Sequence, residues 1–158
     1  MDESYTLHVP SQHDAPIILA ANSSFGVLRA FETLLQVTSF IRPARVRQAP
    51  ITITDKPRFP VRGLMINAAG DWMPLPFIKR IIDGLTVNKL NYLHLHLTDV
   101  TSFPVVSKKY PQLASKGRFG RLVQGSPESA TTYSADELRA LVGYAAERGV
   151  RIVPEVSI

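Results

Sequence analysis

The spacing of hydrophobic and polar positions changes several times along the chain, and each change marks an element. Residues 4–9, Ser-Tyr-Thr-Leu-His-Val, alternate and are β-prone, and Pro10 stops them. This predicts a strand in which His8 is an ordinary strand residue. Ile17 to Ala21 is a second short apolar run. With the polar turn Ser11-Gln12-His13-Asp14 it predicts a hairpin. Asn22-Ser23-Ser24 offers helix N-caps, and it also fits the N-glycosylation pattern; the cap is the reading adopted. Val27, Leu28, Phe31, Leu34 and Leu35 then recur at helical spacing, which predicts a helix over about 25–37. Ile51-Thr52-Ile53-Thr54 predicts a further strand. Residues 1–55 thus form a small α+β layer without catalytic spacing.

A proline-bracketed connector follows, Asp55-Lys56-Pro57-Arg58-Phe59-Pro60. Residues before proline are pushed away from helix, so a domain boundary belongs here, with domains at 1–57 and 58–158. Leu64-Met65-Ile66 is a continuous apolar run and predicts a strand buried on both faces. A loop, Gly70 to Met73, leads into a helix with Pro74 and Pro76 in its first turn. Phe77, Ile78, Ile81, Ile82 and Leu85 carry its period, and Asn88 stops it. Asn91 to Leu97 predicts the second strand. Residues 100–133 are mostly irregular, and a loop of that length is usually functional. Ser134 and Glu137 make a capping box for a helix carrying Leu138, Leu141, Val142, Ala145 and Ala146, closed by Gly149. Arg151 to Ile158 predicts a third buried strand.

The second part therefore reads β-α-β-loop-α-β. Successive crossovers of this kind begin a doubly wound sheet or a (β/α)8 barrel. In both, chemistry collects at the carboxyl ends of the strands, which singles out Asp99; a loop cap is its plainer role. His94 and His96 share a strand face. As zinc ligands they would need Asp99 or a distant residue as a third; otherwise they line a polar pocket or fill a barrel interior. With only four histidines in the chain, no metal is expected. The turn Ala68-Ala69-Gly70-Asp71-Trp72 lacks the glycine pattern of a dinucleotide site, and neither a P-loop nor a G-x-S-x-G motif occurs.

Composition narrows the rest. At 158 residues there is room for one ordinary domain or parts of two, and 45% hydrophobic with 20% charged residues is the balance of a globular chain. A net charge of +5 and a pI near 9.7 would suit a polyanion, but Arg42, Arg45, Arg47, Lys79, Arg80, Lys108, Lys109 and the other cations are scattered. No run of five like charges forms a nucleic-acid footprint, so no nucleic-acid partner is expected. The absence of cysteine removes disulfides, thiolate metal sites and a cysteine nucleophile. No apolar run approaches the ~18 residues of a membrane span. The start, Met1-Asp2-Glu3-Ser4-Tyr5, is not a signal peptide, which predicts either a cytosolic protein or a piece of a longer one.

Three stretches carry a resemblance. They are Phe59-Pro60-x-Arg62-Gly63-Leu64; Asn88-Lys89-Leu90-Asn91-x-x-His94-x-His96-Leu97-Thr98-Asp99-x-x-Ser102-Phe103-Pro104; and Tyr133-Ser134 through Arg148-Gly149-Val150-Arg151-Ile152-Val153-Pro154-Glu155. Together they resemble the family-20 glycoside hydrolases, the β-N-acetylhexosaminidases, in their eukaryotic lysosomal or secreted branch. Ser24 to Thr33 resembles the end of that family's non-catalytic domain. The resemblance implies an α/β chain: the end of a small α+β domain, then the first three strands and two helices of a TIM barrel, incomplete. It implies removal of terminal β-linked N-acetylglucosamine or N-acetylgalactosamine with retention, in which the substrate's own acetamide replaces an enzyme nucleophile. It implies no cofactor, glycan or glycoconjugate partners, and a lysosomal or secreted full-length protein, for which a dimer is open.

By the same resemblance Arg62 grips the terminal sugar. Asp99 orients a histidine near the general acid, and His96 and Glu155 support the site, Glu155 as a buried supporting residue rather than a catalytic one. The family's Asp-Glu catalytic pair would lie beyond Ile158, so the 158-residue chain is expected to be an inactive, aggregation-prone fragment with bare sheet edges. Several positions depart from the family pattern. Asn67 stands for an Asp, Gly70-Asp71 for Arg-His, Val100 for a second Asp and Ser157 for another. These departures leave a second reading open, a diverged non-catalytic glycan-binding protein.

Overall fold

The computed structural model describes residues 1–12, 14–40, 45–46, 48–70, 72–100, 102–116 and 131–157. His13 of the expected hairpin turn, Asp71, and the Gly- and Ser-rich part of the long loop over 117–130 lie outside the described residues, as does Ile158. The chain divides into two compact units, Met1–Pro60 and Val61–Ile158.

In the first unit, β1 (Tyr5–Val9) is the middle of a three-stranded antiparallel sheet between β2 (Ile18–Ala21) and β5 (Ile51–Asp55). Its alternation has a physical result: Tyr5, Leu7 and Val9 are buried, while Thr6 and His8 meet Thr54 and Thr52 on the other face. Helix α1 (Ser24–Val37) covers the buried face. Ser23 caps it by accepting the Gly26 N–H at 3.3 Å. A Cβ on Gly26 would run into the Ser4 carbonyl, so the helix sits where only glycine allows. Arg29 points from α1 into this interior and donates from Nε to Glu3 at 2.7 Å, with both side chains almost wholly buried. A two-stranded ribbon, β3 (Thr38–Ser39) with β4 (Arg45–Val46), was not signalled by any pattern; two-residue strands carry none.

In the second unit, β6 (Gly63–Asn67), β7 (Tyr92–Thr98) and β8 (Arg151–Val156) form a parallel sheet in the order β6-β7-β8. Helix α2 (Leu75–Val87) makes the first crossover, with Pro74 at its N-cap and Asn88 at its C-cap. A short α3 (Gln112–Lys116) interrupts the long loop. Helix α4 (Ala135–Ala146) makes the second crossover and carries the full capping box between Ser134 and Glu137. Gly149 takes φ 67°, the left-handed turn that ends the segment after α4. Among the described residues, α2 and α4 pack on one face of the sheet. There Leu93, Leu95 and Leu97 of β7 pack with Ile66, Ile78, Ile82, Leu85, Leu141 and Ala145. Asp83 of α2 ties the helices together by accepting from Tyr144 Oη and Arg148 Nε, each at 2.7 Å.

This one-sided cover corrects the expectation of strands buried on both faces. In β6 only Ile66 is buried, and Leu64 and Met65 are about half exposed; β8 has no buried residue. A parallel sheet becomes buried on both faces only when something covers the second face. At the amino end β6 and β7 approach closely. A Cβ on Gly63 would lie 2.5 Å from the Tyr92 carbonyl oxygen, a backbone atom that cannot move aside.

Two measurements check this packing. Glu3→Ala leaves the buried Arg29 guanidinium without its carboxylate, and urea unfolding of the first unit should lose about 3–5 kcal/mol. Gly63→Ala should cost about 1–3 kcal/mol in the second unit by forcing β6 from β7.

Candidate active site

The parity of β7 divides its work. The odd positions supply the core leucines, and the even positions put His94 and His96 on the opposite face. Register aligns Asn67 with His96 and His96 with Glu155, so the three strands carry one polar row toward their carboxyl ends. Glu155 bridges the two imidazoles. Nε2 of His94 donates to Oε2 at 2.6 Å, and Nδ1 of His96 donates to Oε1 at 3.1 Å. An ionised carboxylate only accepts, which fixes the direction of both bonds. The hydrogen bond from His96, helped by the one from His94, holds the Glu155 carboxyl below the usual glutamate range. The expectation of a buried Glu155 is corrected: its side chain is 42% exposed, because the face it occupies is uncovered.

Asp99 lies just past the carboxyl end of β7. Its Oδ1 accepts the Ser102 N–H at 3.0 Å, and its own N–H donates to the Ser102 carbonyl at 3.0 Å. The side chain thus caps the turn that opens the long loop, the plainer of the two roles open to it. Asn67 does the same for the neighbouring loop, accepting from Ala69 and Gly70 at 3.0 and 2.7 Å. An amide performs this Asx turn as well as a carboxylate does.

Arg62 does not join the group. It precedes β6, at the amino end of the sheet, where its backbone pairs with Asn91 and its Nε and second terminal nitrogen donate to the Lys89 carbonyl at 3.0 and 2.7 Å. From Asn91 to Asp99 the chain rises about 3.3 Å per residue, so the two ends lie on the order of 25 Å apart. The guanidinium closes the turn before β7, so the structure does not bring Arg62 together with Glu155 and the two histidines.

Sequence reasoning missed two participants. His94 was seen only as one of a pair, and its bond to Glu155 depends on the offset between β7 and β8, which no local pattern fixes. The second is Tyr133, 1% exposed, whose hydroxyl donates to the Met73 carbonyl at 2.6 Å and accepts the Met73 N–H at 3.2 Å. Its ring stacks on Trp72 with centroids 6.1 Å apart. Burial pushes the Tyr133 hydroxyl up to about 12, so it stays protonated. Among the described residues no three His, Asp or Glu side chains are placed to hold a metal. The two imidazoles instead converge on one carboxylate.

Comparison with known proteins decides what this sheet is. The family profile described as glycosyl hydrolase family 20, catalytic domain, matches residues 59–158, and one described as beta-acetyl hexosaminidase like matches residues 1–37. The chain belongs to glycosyl hydrolase family 20. It is 38% identical over 158 residues to beta-hexosaminidase 1 of Coccidioides posadasii, covering all of this chain and 25% of that protein. It is 40% identical over 159 residues to the chitooligosaccharidolytic beta-N-acetylglucosaminidase of Ostrinia furnacalis, covering 98% of this chain and 25% of that protein. The crystal structure of Flavobacterium johnsoniae chitobiase superposes with a TM-score of 0.83 at 34% identity, over 99% of this chain and 22% of that one. The chain spans about a quarter of the length of the curated relatives it matches. Its fold class is α/β, and β6, β7 and β8 with the crossover helices α2 and α4 are part of a TIM barrel, three strands that do not by themselves close one.

The Glu155 bridge has a pH signature. Its folded-state pKa is depressed, so its contribution is present above the ordinary glutamate value of about 4.3 and is lost as pH falls through the folded value. The stability difference between the native chain and Glu155→Gln, read by urea unfolding, should be present at pH 5 and shrink as the pH falls below 4. A difference that persists undiminished at still lower pH would contradict the bridge.

Proposed function

We propose that this chain supplies part of the sugar site of a β-N-acetylhexosaminidase-like glycoside hydrolase. The substrates are glycans or glycoconjugates ending in β-linked N-acetylglucosamine or N-acetylgalactosamine, cleaved with retention through the substrate's own acetamide. Residues 1–57 are the end of the non-catalytic domain, and residues 58–158 open the barrel. The observation that carries the reading is the family-20 match over 59–158, which includes the row of His94, His96 and Glu155 toward the carboxyl ends of the strands. No cofactor is required for this chemistry. A lysosomal or secreted setting fits the relatives' activities, and no helix among the described residues is long and apolar enough to cross a membrane.

The roles within the row follow from its electrostatics. A general acid needs a carboxyl held above its usual pKa so that it carries a proton at working pH. Glu155 is held below that range, so it is a positioning residue, fixing the tautomer and angle of both imidazoles. His96, 14% exposed, is the more enclosed of the two. Asp99 shapes the rim through its turn with Ser102. Neither the proton donor nor the acetamide-orienting carboxylate is assigned to a residue of this row.

A second reading, glycan binding without hydrolysis, is favoured by one observation. Val100 stands 96% exposed at the carboxyl end of β7, beside Asp99, and brings no charge to the rim. A chimera separates the readings. This chain replaces the matching quarter of the Coccidioides posadasii relative, and release of nitrophenol from a chromogenic N-acetyl-β-glucosaminide is measured. Hydrolysis at a reduced rate is the expected result. Retained N-acetylglucosamine binding without turnover would establish the second reading instead. The 158-residue chain assayed alone should give no turnover, because three parallel strands do not close a barrel around a sugar.

A further inference from the structure

The geometry points to Tyr133 as a positioning residue that seats the β6–α2 loop at the rim of the site, through a hydroxyl bonded to both backbone groups of Met73. Three segments meet at this residue. Its backbone forms a parallel bridge with Val105, donating to the Pro104 carbonyl at 2.6 Å and accepting the Val106 N–H at 2.9 Å. Directly after it, Ser134 starts the capping box of α4. Its side chain alone reaches the third segment, Trp72 and Met73, which follow the carboxyl end of β6. The backbone of Tyr133 therefore fixes the excursion after β7 to the entry of α4, and the hydroxyl adds the β6–α2 loop to that frame.

The described residues of the loop have few anchors of their own. Asn67 holds its first turn through Ala69 and Gly70. Pro74 then opens α2 without a side-chain cap. Between them the Met73 N–H and carbonyl both go to one oxygen, that of Tyr133. Trp72 lies against the Tyr133 ring, and its indole Nε1 is buried without a hydrogen-bond partner. An indole donor left unpaired is costly, so packing rather than hydrogen bonding holds this ring in place, and the packing surface is Tyr133. The pose of the loop then depends on the bond that Tyr133 makes.

The chain contains a single tryptophan, so Trp72 reports this loop without interference. Tyr133→Phe keeps the ring, its burial and its backbone bridge, and removes only the bonds to Met73. The expected result is about a twofold rise in acrylamide quenching of Trp72 with a thermal midpoint within a few degrees of the native chain. Leu141→Val, a core substitution under α4, is the control for general loosening. The positioning role is overturned if Tyr133→Phe leaves quenching unchanged, or if Leu141→Val raises it equally at matched destabilisation. A second arm rests on the sugar-site reading above: N-acetylglucosamine titrated against Trp72 emission should bind roughly five- to tenfold more weakly to Tyr133→Phe than to the native chain, the worth of about one hydrogen bond. If the native chain itself shows no N-acetylglucosamine response, it is the sugar reading for this chain that fails, and the quenching comparison still decides the role of Tyr133.

Discussion

Strand β7 is the constraint on which the second unit depends. It is the middle strand, paired on both sides, and its sequence alternates without a break from Leu93 to Leu97. The leucines bind the crossover helices to the sheet, and the histidines between them carry the polar chemistry. A slip of one residue would exchange the two sets, putting imidazoles against Ile78 and Ile82 and leucines in the row with Glu155. Burial of three leucines therefore fixes the register, and the register places the site. Stability and chemistry are specified by the same seven residues.

Glu155 shows how such a site is tuned. Two hydrogen bonds from imidazoles stabilise its charged form and brace β7 against β8. Tyr133 works in the opposite electrostatic direction. Burial stabilises its neutral form, and the retained proton lets one oxygen serve as donor and acceptor to a single peptide. Both residues act on the site through neighbours, one across the sheet and one across the loops above it.

Much of this was legible in the residues because it depends on local rules. The helices and their caps at Ser23, Ser134 and Asn88 are written in spacing and in side chains that satisfy open backbone groups. The strands β1, β5 and β7 are written in alternation and β2 in a short apolar run. Burial of β6 and β8 was not legible, because a continuous apolar run records the environment a strand is suited to rather than the cover it has. The placement of Arg62 was not legible for a related reason. A motif fixes where a residue stands along the chain, but the end of the sheet to which it belongs is a property of three dimensions. Its conformation follows from the Lys89 carbonyl, 27 residues away in sequence. Likewise the His94–Glu155 contact spans two strands and a whole crossover, and no local pattern reports it.

The parallel bridge between Val105 and Tyr133 has a bearing on how this molecule tolerates change. The two ends of the excursion are fastened to each other at its base, so the chain between them forms a closed circuit that leaves and returns at one place. Adding residues to such a circuit costs little entropy, since closure grows only with the logarithm of length. An insertion between Val105 and Tyr133 therefore leaves the bridge, and with it the entry of α4, closed at nearly the same entropic cost.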